Sequence, residues 1–292
     1  FHTVKFAAKL CDLSLPYSSY YCSVKNCKKC TVAVPAVRFK QRTLLHPVYF
    51  FKNNAIDPAT QHLLVQHHDS FCGFVLFDPQ QQQVHGWVLY ELTAPLDETM
   101  LSQITARQEW LGSSFRSVTV ADYNAVNTLV PKPLFVPGSE KQLLEVVPGV
   151  HHNHILLEDT MADVVNIFQV PAAAYTAFAR LFPGAKWKHH ETAVLQQLPT
   201  EEAKINMELW FHRVFLFAEQ NGKWLLLQQR AYQTPEDVLY HVLNCKQQFG
   251  MRDEVMVTVT GMIEEQSALY KLLHQYILNL EPEQQLVYGF PP

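Results

Sequence analysis

From residue 62 onward, short apolar runs broken by turn residues predict three strands in quick succession, over 62–68, 71–78 and 84–92. Their links, Asp69-Ser70 and residues 79–83, are short enough to force antiparallel neighbours. Pro95 then opens a predicted helix with Asp97 and Glu98 in its first turn, where the helix dipole favours negative charge. Met100, Leu101, Ile104 and Leu111 form its apolar stripe, and a strand over 117–121 follows. Residues 205–260 repeat this order: strands over 205–211, 214–218 and 223–232, the last two joined by Asn221-Gly222, a two-residue hairpin signal. A helix opened by Pro235 and a strand over 255–259 complete the second unit. Equivalent landmarks lie 143, 140 and 138 residues apart.

Two copies of strand-strand-strand-helix-strand predict an α/β fold of two duplicated halves. Each half holds a mixed sheet, an antiparallel meander of three strands whose fourth strand returns parallel through a right-handed helical crossover. A last helix over 264–280, striped by Leu269, Leu272, Leu273, Tyr276, Ile277 and Leu280, is expected to cover the second sheet. Between the copies the pattern predicts a helix over 140–147, strands around Ile155 and Val165, a helix opened by Pro171 and a mixed segment over 186–200. The expected organisation is an extension over 1–54, a first half with added elements over 55–200, a second half over 201–281 and a tail over 282–292.

Charge separates the extension from the rest. Residues 1–52 carry nine Lys/Arg against one acid, and the remainder carries fourteen against twenty-six. The extension also holds Cys11, Cys22, Cys27 and Cys30, and the first Met is Met100. Cys22, Cys27 and Cys30 match an iron–sulfur ligand spacing, but Lys25, Lys28 and Lys29 stand where such a loop needs small residues. A basic tail or a transit peptide fits the low acid content but not the scarcity of Arg. The expectation is translated upstream sequence, with the product starting near Leu45 or Val48 from a non-AUG codon.

At 292 residues the chain can bury a sizeable core without disulfides or metal. No apolar run reaches the roughly eighteen residues of a membrane span, and Lys9 and Asp12 interrupt the one signal-like stretch, so a cytoplasmic protein is expected. The acidic body gives no basic surface for nucleic acid. The histidine groups (67-68, 151-152-154, 189-190) offer one ligand per face when adjacent in a strand, which leaves His152 and His154 as a pair able to share a face; no metal site is expected.

Several strings resemble one family: Thr128-Leu129-Val130-Pro131 with Leu134-Phe135, the run from Asn166 to Pro171, Asn221-Gly222-Lys223, and Thr234-Pro235-Glu236-Asp237 with Tyr240. They are similar to an uncharacterised Bacteroidetes family, domain of unknown function family 3822, over about residues 55–281. The resemblance, like the duplicated order, implies an actin-like ATPase fold of the actin, hexokinase and Hsp70 type, with no assigned activity. Thr234 to Asp237 by themselves read as a helix cap.

Proteins of that superfamily grip phosphate with a glycine-bearing hairpin between the first two strands of each half, and hold Mg²⁺ with a nearby aspartate. In the first half Asp69, Ser70 and Gly73 are the corresponding remnant; Trp210 to Val214 in the second half contain no Asp, Ser, Thr or Gly. Gly261 stands alone where the adenosine side has paired glycines. Asp122 follows the fourth strand, at the edge where open α/β sheets place ligands, and is a candidate base or a turn residue. With 10 glycines in the chain and no common phosphate or hydrolase motif, the expectation is a binding or scaffold protein with a protein partner and no cofactor. The alternative is a divergent ATPase or small-molecule kinase built on Asp69, Ser70, Gly73, Asp122 and Gly261.

Overall fold

Residues 45–53, 55–78, 80–81, 83–161, 163–197 and 199–282 are described in a computed structural model. The four N-terminal cysteines, with the ligand spacing read from them, and the tail beyond Pro282 lie outside the described residues.

The first half runs β1 (Tyr49–Lys52), β2 (His62–His68), β3 (Phe71–Asp78), β4 (Gln83–Glu91), α1 (Glu98–Arg107) and β5 (Ser117–Asp122). An added region follows: β6 (Asn127–Pro131), α2 (Glu140–Glu145), β7 (His154–Thr160), β8 (Val164–Pro171), α3 (Ala172–Leu181), β9 (Lys186–His189) and α4 (His190–Leu195). The second half comprises β10 (Lys204–Trp210), β11 (Arg213–Gln220), β12 (Lys223–Ala231), α5 (Pro235–Gln248), β13 (Met256–Gly261), α6 (Ala268–Tyr276) and β14 (Asn279–Pro282).

The first sheet has the order β1-β4-β3-β2-β5-β9, the second β12-β11-β10-β13-β14. In both, a three-strand antiparallel meander is followed by a strand parallel to the first of the three, β5 on β2 and β13 on β10. A fifth parallel strand, β9 or β14, lies outside it. β6, β8 and β7 form a separate antiparallel sheet.

Strand alternation divides each sheet between two cores. On β2, Leu63 and Val65 pack with Ile104 and Phe178 beneath the helices, while Leu64 faces the second half. On the second sheet Ile205, Leu216 and Val257 meet Val242 of α5 and Leu273 of α6. The remaining faces meet each other: Leu64, Phe71, Val75 and Trp87 pack against Trp210, Phe215 and Phe217. Covering on both faces is why these strands read as nearly continuous apolar runs.

Four elements differ from expectation. The Asp97 carboxylate accepts the Met100 amide at 2.8 Å and becomes the N-cap, so α1 starts after it and Pro95 lies outside. Leu111 belongs to a separate 3₁₀ turn, Glu109–Gly112. The final helix is shorter: Ser267 caps it, the chain leaves it extended at Ile277, and Leu280 lies in β14 opposite Val257. β1, inside the expected extension, pairs with β4 from Tyr49↔Leu89 to Lys52↔Gly86. No helix among the described residues is long and apolar enough to cross a membrane.

Candidate functional site

The tight turns of the two meanders meet at the junction of the halves. Asp69-Ser70 links β2 to β3, and Phe211-His212 links β10 to β11. Phe211 has φ +50, a conformation that costs a bulky side chain energy and normally selects glycine at the first position of such a turn. Its ring lies 5.9 Å from that of Phe71, which stacks on Trp210 at 5.5 Å; Trp210 in turn meets Trp87 edge-on at 5.9 Å. The Tyr232 hydroxyl donates to the Phe211 carbonyl. Aromatic rings thus occupy the space between the hairpins.

Beside this seam a cavity of about 160 Å³ is lined by His68, Asp69, Asn124, His154, Arg213 and Gln229, among others. It is smaller than the roughly 300 Å³ at which ligand pockets of ordinary size begin. Burial and the nearby Arg213 guanidinium push the His68 imidazole down to about 3, so it is neutral at pH 7. Its Nδ1 accepts from the Ser70 amide at 2.9 Å, which leaves its proton on Nε2, 3.1 Å from the Gln229 side-chain amide across the junction.

Of the residues expected at a nucleotide site, three come together. Asp122 is buried; it receives His67 Nδ1 at 2.7 Å and the Asn124 side-chain amide at 2.9 Å. The Asn124 carbonyl oxygen accepts the Asp69 amide at 3.2 Å, and the Ser70 hydroxyl lies 2.8 Å from His68 Nδ1. The Asp69 carboxylate is exposed at the cavity rim. Gly73 lies elsewhere, inside β3, where a Cβ would stand 2.6 Å from Gln66 Oε1. Gly261 also lies apart: its φ is +85, and a Cβ at this position would stand 2.2 Å from the Leu209 carbonyl oxygen, so close backbone approach explains the glycine.

Sequence reasoning missed the polar groups that the second half contributes. Arg213 and Gln229 lie on β11 and β12, strands whose pattern gave no sign of a shared cavity. The buried Glu208 faces His190 Nε2 at 2.7 Å, and that imidazole stacks on Tyr123 at 4.0 Å. A lone acid in the apolar strand β10 was the available signal. His151 and His154, rather than His152 and His154, come together, with rings stacked at 5.0 Å, because residues 151–153 precede the strand and do not alternate. Among the described residues no group of three His, Cys, Asp or Glu could hold a metal. Burial raises the Cys245 thiol to about 11 and the Cys72 thiol further, which removes both as nucleophiles at neutral pH.

A second cavity, of about 610 Å³, opens between the first sheet's β1–β4 edge and the chain segments following β12 and β13. Trp87, Pro235, Gly261, Met262 and Glu264 are among its lining residues, which include no lysine or arginine among the described residues. The helix N-termini beside it are already capped, α5 by Thr234 with Asp237 and α6 by Ser267.

The profile of the family Protein of unknown function (DUF3822) matches residues 52–280. Among solved structures the chain is similar to a protein with actin-like ATPase fold and unknown function from Bacteroides thetaiotaomicron VPI-5482. That match has 17% identity and a TM-score of 0.65, and covers 77% of this chain and 91% of the other. It is also similar to a chain of the PilM-PilN type IV pilus biogenesis complex, at 13% identity and a TM-score of 0.51, covering 77% and 89%. Among curated proteins none matches.

Proposed function

Because the chain belongs to the family Protein of unknown function (DUF3822) and has an actin-like ATPase fold, we propose that it is a non-catalytic binding or scaffold protein that engages a protein partner. The observation that carries this reading is the packing of Phe71, Trp210 and Phe211 between the two hairpins, in the space where an actin-like ATPase would need glycine amides around phosphate. The dimensions and charges of the cavities support it. The one holding Arg213 is about 160 Å³, and the larger one offers a polyphosphate Glu264 and, among the described residues, no lysine or arginine. The PilM-PilN complex supplies a precedent for this fold held against a protein partner.

The alternative, a divergent ATPase or small-molecule kinase, draws on the exposed Asp69 carboxylate beside Arg213. Thermal melts with and without millimolar Mg-ATP separate the two. A ligand at a hundred times its dissociation constant adds about 2.7 kcal/mol, a readily measured shift. No shift is expected; a clear rise that Asp69→Ala abolishes would overturn the proposal.

A further inference from the structure

The edge of the first sheet is built unlike a strand meant to face water. β1 is outermost in its sheet, and no described strand pairs with its outer side. Edge strands are ordinarily blunted by charge, proline or a bulge, because their free amides and carbonyls accept any passing strand. Here Val48, Tyr49, Phe50 and Phe51 are 50%, 40%, 54% and 38% exposed, so apolar side chains lie open on both faces of the strand. Val48 and Tyr49 also form one wall of the 610 Å³ groove.

The groove's charge narrows what can occupy it. Glu264 lines it, and Glu236 and Glu265, adjacent in sequence to the lining residues Pro235 and Glu264, are exposed at its rim. The neighbouring helix-start amides are spent on their caps, so the acids are not offset by open donors. A nucleotide would meet carboxylates without a balancing lysine or arginine among the described residues. A second copy of the chain, paired edge to edge about a two-fold axis, would bring the same acidic rim against itself. What remains is a strand with apolar side chains and positive charge.

We infer that this groove and the free edge of β1 bind an extended apolar peptide with a basic flank, presented by the protein partner and added to the sheet as a further strand. The inference rests on the binding-protein reading above and names the partner's chemistry. Main-chain hydrogen bonds to β1 supply the alignment, alternate side chains enter the groove, and a lysine or arginine reaches Glu264.

Selection of a displayed library of random peptides on the purified full-length chain tests it. Alternating apolar sequences carrying lysine or arginine should be enriched. A selected peptide should slow amide hydrogen exchange at residues 49–52, and should bind at least about tenfold more weakly to Glu264→Lys and to Phe50→Glu, each an exposed position whose change leaves the melt unaltered. The inference is overturned by an absence of enrichment, by acidic sequences, or by peptides that bind both variants as tightly as the unmodified chain. Protection of residues 49–52 that grows with protein concentration and needs no peptide would overturn it in favour of a second copy. An upward melt shift with Mg-ATP would instead count against the non-catalytic reading and leave the peptide result standing.

Discussion

Burial holds the His68 imidazole neutral, with Ser70 on one nitrogen and Gln229 of the opposite half near the other. An unfolded histidine takes a proton near pH 6.5, whereas this one does so near 3, so between those values the unfolded chain binds more protons. Stability from this group is therefore fully present above about pH 6.5 and falls as the pH drops towards 3. At pH 5 the loss is about 2 kcal/mol, at 1.36 kcal/mol per unit, and urea titrations at pH 7 and 5 measure it. Burial lowers His62 and His154 as well, in the same direction. In His68→Gln the difference between the two titrations should shrink. A second residue-scale expectation concerns Gly261, where φ +85 and the Leu209 carbonyl leave no room for a side chain. Gly261→Ala should cost about 3 kcal/mol or more in the same assay.

Among the elements, α5 shows its cause most directly. Thr234 and Asp237 exchange hydrogen bonds with each other's backbone amides as a capping box, Pro235 sits in the first turn, and Asp237 is held below the usual carboxylate range by the Gln233 and Thr234 amides. Thr234→Ala should lower stability by about 1 kcal/mol in a chemical melt, with peptide binding at the β1 groove unchanged. This element was legible in advance because its signals are local, as were both meanders, whose Asp69-Ser70 and Asn221-Gly222 turns announce antiparallel pairs. β1 was not: four residues at a sheet edge, exposed on both faces, carry no alternation to read. β14 was hidden differently, since Leu280 continues the helical spacing of Leu273 and Tyr276 although it pairs with Val257. Asp69 and Asp122 were visible as candidates. Their link through Asn124, and the aromatic rings that fill the junction, depend on contacts between residues more than a hundred positions apart or across a sheet, which periodicity does not encode.

At the scale of the molecule, the two halves share a core. Trp210, 3% exposed, packs with residues of the first half, so Trp210→Ala should cost about 3–5 kcal/mol and lower the melting of both halves together. Starting the chain at Asn53 removes β1 and uncovers the outer edge of β4; that variant should melt lower and aggregate, whereas one starting at Leu45 keeps the strand. The stacked rings at the junction also bear on motion. Swinging the halves apart, as a hinge-bending enzyme does around its substrate, would unstack Phe71 from Trp210 and break the contact between His68 and Gln229. Such a joint is welded rather than hinged. Relaxation-dispersion spectra should be quiet along the junction, and the scattering profile should keep the same radius of gyration with a peptide bound, so that any message the protein passes on is carried by which surfaces it brings together and not by a change in its own shape.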